Sequence, residues 1–235
     1  MKERIVLITG GSTGLGYTAA SRLKKLGYHV YITSRQAAKA AAAAKELAVS
    51  YVALDVTDED SIEQAAETIK KQEGRIDILI NNAGIPGGYG KPAEIDAAIM
   101  RNVYDTNVFG LVSVTHAFLP LLEQSELPVI VNVSSGLGSF GQVLNPDKIE
   151  SKVNALAYSS SKAAVSMLTV QYAKSLPSMK INAVDPGPTK TGENFSNGMQ
   201  TVEQGSDAIV KLATIDKKGP TGGFFNRDGI IPAIL

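Results

Sequence analysis

The chain contains no cysteine, which excludes disulfides, thiol chemistry and thiolate metal sites. Histidine is almost missing as well. His29 and His116 are its only two, far apart and in apolar surroundings, and both read as ordinary strand or helix residues rather than ligands. Neither sign of charge is in excess: Lys plus Arg and Asp plus Glu number 23 each. No basic surplus therefore points to nucleic acid or an anionic membrane as a partner. A long hydrophobic run is lacking, and a strand pattern begins within the first few residues. No secretory signal or membrane span is expected, and the cytoplasm is the expected compartment. Proline-rich linkers and internal repeats are absent too. The 235 residues suffice for one sizeable core, so a single domain over 1–235 is expected.

What is present is an alternation of short apolar runs with helical patterns. Ile5-Val6-Leu7-Ile8 predicts a buried strand, and Ala19, Ala20, Leu23 and Leu26 mark one side of the helix after it. Further strands are expected at 28–33, 49–54, 76–80, 129–133 and 180–184, with a seventh closing at Gly223-Phe224-Phe225. Helices are expected at 36–47, 59–72, 103–122, from Tyr158 to about Ser175, and at 202–212. The Ala-rich run from Gln36 has high helix propensity and suits an outer helix. Near-continuous apolar strands alternating with helices imply an α/β fold, a single-domain doubly wound parallel sheet of Rossmann type with helices on both faces.

Two local patterns carry chemistry. The first strand runs into Thr9-Gly10-Gly11-Ser12-Thr13-Gly14-Leu15-Gly16, where glycines permit a tight turn and the next helix offers free N–H groups to a phosphate. Gly11, Gly14 and Gly16 do not keep the usual Gly-x-Gly-x-x-Gly spacing, although the strand–turn–helix context is right. The second pattern is Tyr158 and Lys162 in Ala-Tyr-Ser-Ser-Ser-Lys-Ala. Four residues apart on a helix, phenol and ammonium share a face. The positive charge is expected to lower the tyrosine pKa and make the hydroxyl a proton donor and acceptor near neutral pH. Ligands of such sheets gather beyond the carboxyl ends of the strands. There the chain places Ser34-Arg35, Asp55, Asn81-Asn82-Ala83-Gly84, Ser134-Ser135-Gly136, and Asp185-Pro186-Gly187 with Thr189 and Thr191.

With these motifs in order along nearly the whole chain, the sequence resembles the short-chain dehydrogenase/reductases, and in particular their carbonyl reductase-like members. The Thr9–Gly16 segment matches that family's Thr-Gly-x-x-x-Gly-x-Gly cofactor turn, with Gly10, Ser12, Thr13, Gly14, Leu15 and Gly16 as expected contacts. Asn82, Ala83 and Gly84 fall in its Asn-Asn-Ala-Gly motif, and Asp55 with Val56 match the pair beside the adenine. Pro186, Gly187, Thr189 and Thr191 match the segment that holds the nicotinamide carboxamide. The resemblance implies Asn107, Ser135, Tyr158 and Lys162 as catalytic residues. Ser135 and Tyr158 would donate to a substrate carbonyl oxygen, Lys162 would hold the nicotinamide ribose, and Asn107 would help position a water leading to solvent. Ser134 reads as a strand-end hydroxyl satisfying backbone.

The implied activity is reduction of an aldehyde or ketone to an alcohol, or the reverse. An acidic residue at the end of the second strand would select NAD(H). Here that position is Ser34, and the adjacent Arg35 suits a 2′-phosphate, so NADP(H) is the preferred cofactor and NAD(H) the alternative. An NAD-dependent alcohol dehydrogenase and a non-catalytic dinucleotide-binding regulator stay open as other readings. Phe140, Leu144, Phe195 and Met199 are candidates for an apolar substrate pocket, and 192–201 forms a short substrate-side loop. Tyr158 follows Ser135 by 23 positions, wider than is common in the family, which marks 142–154 as an insertion beside the site. Monomeric carbonyl reductases carry a much longer one there, so homodimer and monomer are both open.

Overall fold

The computed structural model describes residues 3–191 and 199–232. Its centre is one eight-stranded sheet in the order β3-β2-β1-β4-β5-β6-β7-β8. The strands are β1 (Ile5–Ile8), β2 (His29–Ser34), β3 (Ser50–Ala53), β4 (Ile78–Asn81), β5 (Val129–Val133), β6 (Lys180–Val184), β7 (Phe224–Asn226) and β8 (Gly229–Ile230). All pairings from β3 to β7 are parallel, and β8 returns antiparallel to β7. The order reverses between β1 and β4, which opens a crevice at the carboxyl ends of those two strands.

Strand composition follows from burial on two faces. Along β1, Val6 and Ile8 enter a cluster with Ala19, Leu23 and Ile209, while Ile5 and Leu7 enter another with Ile62, Ile69 and Phe118. Side chains alternate across a sheet, so a strand covered on both sides needs apolar residues at every position. The helices around the sheet are α1 (Gly14–Lys25), α2 (Ala37–Leu47), α3 (Glu59–Glu73), α4 (Ala97–Tyr104), α5 (Gly110–Leu122), α6 (Phe140–Val143), α7 (Leu156–Ser175), α8 (Val202–Gly205) and α9 (Asp207–Ala213). In α2 the alanines at 40, 43 and 44 are the buried ones. Asp58 caps α3 by accepting from Ser61 N–H, and Gly74 ends it at φ 70°, the left-handed geometry glycine adopts without strain.

Four expectations change. The eighth strand is new: only two residues long, it is made by a turn in which Asn226 Oδ1 accepts from the Asp228 and Gly229 N–H groups. Leu26 lies just past the end of α1 and is 61% exposed rather than packed. The helix expected over 103–122 begins earlier, at Ala97, and is interrupted by a π-helical turn, Asp105–Phe109. The helix expected over 202–212 breaks at the buried Ser206, whose hydroxyl donates to Glu203 O and accepts from Arg22 of α1. Among the described residues no helix is long and apolar enough to cross a membrane.

Candidate active site

The glycine turn is built by its neighbours. Thr9 ends β1, and its Oγ1 accepts from the N–H groups of Asn82 and Ala83, both at 3.0 Å. The Asn82 amide returns two bonds, to Thr9 O at 2.9 Å and Gly10 O at 3.1 Å. The Asn-Asn-Ala-Gly loop after β4 thus braces the turn after β1. A Cβ at Gly16 would stand 2.5 Å from Asn82 Nδ2 and 2.7 Å from Gly10 O, so no side chain fits there. Thr13 makes no side-chain cap on α1, and the first turn holds no acidic residue. The helix N-terminus therefore keeps its N–H groups and positive dipole end for an anion.

From this turn a cleft of about 870 Å³ runs across the carboxyl ends of the strands, within the size range of cofactor sites. One end is walled by Ser34, Arg35, Asp55 and Val56. Arg35 is exposed there and forms no ion pair among the described residues. The Asp55 carboxylate is occupied locally by Thr57, through its N–H at 3.0 Å and its hydroxyl at 2.8 Å. Gly10, Ser12, Thr13, Gly14 and Leu15 form the floor beside Asn82, Ala83 and Gly84. At the other end stand Ser135, Tyr158 and Lys162, flanked by Pro186, Gly187, Thr189 and Thr191. The turn, the open helix end and the continuous cleft fit a dinucleotide in shape and in donor chemistry.

Gly16 and Asn107 stand behind this surface. Asn107, 2% exposed, sits in the π-helical turn, an irregularity that often marks functional positions. Its Oδ1 accepts from Ile85 N–H at 2.8 Å, and its Nδ2 donates to Ile85 O and Ser161 Oγ, both at 3.0 Å. Ser161 in turn donates to Tyr158 O at 2.7 Å. Both ends of the amide are therefore committed to holding the loop after β4 against α7. The π turn is what brings Asn107 to that junction.

The Lys162 ammonium is 4% exposed. It donates to Val133 O at 2.7 Å and lies 5.5 Å from the centre of the Tyr158 ring. Gly84 lies beside it: a Cβ there would stand 3.3 Å from Asn107 Oδ1 and in ordinary contact, 3.4 Å, with Nζ. Burial lowers the Lys162 pKa from 10.5 to about 8. For Tyr158 the sequence expectation is reversed: its pKa is raised, chiefly by burial, with Tyr89 and Asp185 adding to the rise and a hydrogen bond with Ser135 opposing it. Desolvation of the phenolate outweighs a cation held at the ring rather than at the oxygen. The two serines divide as their surroundings require. Ser134 donates to Lys162 O and shares a bond with Ser166, both at 2.9 Å, whereas Ser135 faces the cleft, accepts from Leu137 N–H at 3.2 Å and hydrogen-bonds the Tyr158 hydroxyl.

Asp185, 8% exposed, shapes the segment after β6. Its carboxylate accepts from Gly187 N–H at 2.9 Å and from the Gly136 N–H. Burial is the main cause of its raised pKa, and the nearby Glu150 adds to it. Phe140, Leu144 and Met199 are 72%, 66% and 74% exposed and lie outside the cleft lining, while Phe195 is outside the described residues. The lining near Ser135 and Tyr158 includes Pro86, Tyr89, Leu137, Ile149, Glu150 and Val153 instead. Three of these, Ile149, Glu150 and Val153, belong to 142–154. Tyr89 carried a readable signal, an aromatic set among the glycines and proline of 84–90 directly after a strand end. Ile149, Glu150 and Val153 were signalled only as part of the 142–154 segment, and Pro86 and Leu137 gave no signal in the linear pattern.

A doubly wound sheet with this cleft at its switch point defines a dinucleotide-binding oxidoreductase. The chain belongs to the short chain dehydrogenase family, whose model matches residues 4–200. It is similar to the (+)-neomenthol dehydrogenase of Arabidopsis thaliana, 33% identical in an alignment that covers 95% of this chain and 96% of the relative. Among solved structures, salutaridine reductase from Papaver somniferum is 28% identical with a TM-score of 0.80, over 94% of this chain and 99% of that one. ElxO with NADP bound is 30% identical with a TM-score of 0.82, over 95% and 96%. Enzymes of this family typically carry out NAD(P)H-dependent carbonyl reduction on small carbonyl or alcohol substrates.

Proposed function

We propose that this enzyme uses NADPH to reduce an aldehyde or ketone with an apolar, non-anionic body to the alcohol, with Tyr158 as the proton donor. The observation that carries the reading is one continuous cleft with Arg35 at one end and Ser135, Tyr158 and Lys162 at the other. Bound dinucleotide supplies the hydride for the carbonyl carbon. Ser135 Oγ and the Tyr158 hydroxyl donate hydrogen bonds to the carbonyl oxygen, and the phenol gives up its proton as negative charge develops there. Because burial holds Tyr158 neutral, it starts in the protonated form that reduction needs. Lys162 stays largely charged at pH 7. Its donors beyond the bond to Val133 O would hold the ribose hydroxyls and steady the phenolate that forms.

Cofactor preference follows from charge. With no carboxylate at the end of β2, a 2′-phosphate meets no repulsion and finds the Arg35 guanidinium; the relative ElxO binds NADP. Pro86, Tyr89, Leu137, Ile149 and Val153 suit an apolar substrate body. Glu150 and Asp185 at the same end disfavour a carboxylate, since like charges set together cost affinity. Relatives named as a neomenthol dehydrogenase and a salutaridine reductase agree with an alcohol–ketone pair. Steady-state oxidation of NADPH and NADH against cyclic ketones, aldehydes and quinones tests the reading. Turnover favouring NADPH is expected, with Tyr158→Phe losing about a hundred-fold or more while still binding the dinucleotide. Equal turnover by that variant, or none by the wild type with either dinucleotide, would sink it.

A further inference from the structure

We propose that Gln200 is the positioning residue for the nicotinamide half of the site, its side-chain amide locking the strap Pro186–Thr191 in its receiving shape. The inference rests on the dinucleotide reading above. Gln200 lies outside the cleft lining, so it acts through the strap and touches neither cofactor nor substrate. Its Nε2 donates to Pro186 O and to Thr189 Oγ1, the latter at 3.0 Å. The backbone reinforces the clamp: Met199 N–H and Gln200 N–H reach Pro188 O at 2.7 and 3.3 Å, and Lys190 N–H reaches Gln200 O at 3.0 Å.

Both side-chain partners of Nε2 are oxygens. Thr189, 5% exposed, has Pro186 O and Gly187 O within reach of its hydroxyl proton, at 3.3 and 3.0 Å, which leaves a lone pair toward Gln200. Position 200 must therefore present a donor, and an acceptor of the same shape would face two acceptors. The fit is close on the other side too. Gly187 sits at φ 71°, and a Cβ there would come 2.8 Å from Nε2. Thr189 also meets Gly205 of α8, where a Cβ would approach Thr189 Oγ1 at 2.4 Å and Leu15 Cδ2 at 2.9 Å. Thr189, which Gln200 holds, is thus packed against Gly205 beside Leu15 of the glycine turn.

The test compares Gln200→Met, which keeps length and loses the donor, with Gln200→Glu, which keeps shape and reverses the polarity. Dissociation constants are measured for NADPH and for the fragment 2′,5′-ADP (5′-AMP, if NADH binds tighter), together with KM and kcat. NADPH affinity should fall about tenfold in Gln200→Met and further in Gln200→Glu, with the adenosine fragment within about twofold of wild type. Equal loss for dinucleotide and fragment would mean that Gln200 merely supports the fold and would overturn the proposal. So would unchanged NADPH binding in both variants, or Gln200→Glu binding as well as wild type. Wild-type protein that binds neither NADPH nor NADH overturns the dinucleotide reading itself, and this inference with it.

Discussion

Lys162 carries a free-energy cost that the ligand-free protein does not need. Its ammonium is buried, and desolvation has moved its pKa from 10.5 to about 8. That displacement corresponds to about 3 kcal/mol of native-state instability wherever the group is charged in both folded and unfolded chains. Lys162→Met, an apolar side chain of similar length, removes the cost and also removes the bond to Val133 O, worth about 1 kcal/mol. At pH 7 the variant should then be more stable than wild type by about 2 kcal/mol, raising Tm by roughly 4–8 °C for a chain of this size. It should also be inactive.

The pH dependence gives the sharper test. Between about pH 8 and 10.5 the unfolded chain holds a proton at Lys162 that the folded chain does not. Wild-type stability rises with pH across that window as the buried amine becomes neutral. The methionine variant has no such group, so its advantage should shrink and reach zero or reverse near pH 10. Tyr158, whose proton the folded state retains above pH 10, is common to both proteins and cancels in the difference. Urea unfolding of the pair at pH 7, 8.5 and 10 checks this. A variant less stable at pH 7, or an offset that does not move with pH, would falsify burial as the cause of the lysine's low pKa.

Three other outcomes follow from the same geometry. Arg35→Asp should shift the ratio of kcat/KM for NADPH over NADH toward NADH by roughly ten- to a hundred-fold, the worth of a charge-assisted contact; an unchanged ratio places recognition of the 2′-phosphate elsewhere. Gly16→Ala forces a methyl against Asn82 Nδ2 and Gly10 O, so it should cost about 1–3 kcal/mol and weaken dinucleotide binding, read by thermal melting and fluorescence titration. For the free enzyme, kcat/KM for NADPH should fall as pH rises through about 8, where Lys162 loses its charge; a flat profile to pH 9.5 contradicts the role given to the ammonium.

The strands and the glycine turn were readable because each rests on a local rule that burial on both faces enforces. Val6 and Ile8 pack on one side and Ile5 and Leu7 on the other, so an uninterrupted apolar run was the right signal for a covered parallel strand. The helix holding Asn107 was harder to read. Its π turn places Asn107 against Ile85 and Ser161, partners 22 and 54 residues away that no window of sequence contains. The apolar end of the cleft was misread for the same reason: Phe140 and Leu144 follow Ser135 closely along the chain, yet α6 and the residue after it leave them exposed while Ile149 and Val153 return to the cleft. The electrostatics of Tyr158 and Lys162 show the limit most directly. Their spacing guarantees adjacency on α7, and adjacency of exposed charged groups on a helix is worth only about 0.2–0.5 kcal/mol. Burial acts on each group separately and is larger by several-fold here, as the lysine's fall to about 8 shows. The sign of the tyrosine's shift was therefore set by depth in the fold, which helix spacing does not encode. Under the proposed function, a neutral phenol beside a cation of reduced basicity would be a proton donor at rest, and the basic form of Tyr158 would have to be created by the reaction itself.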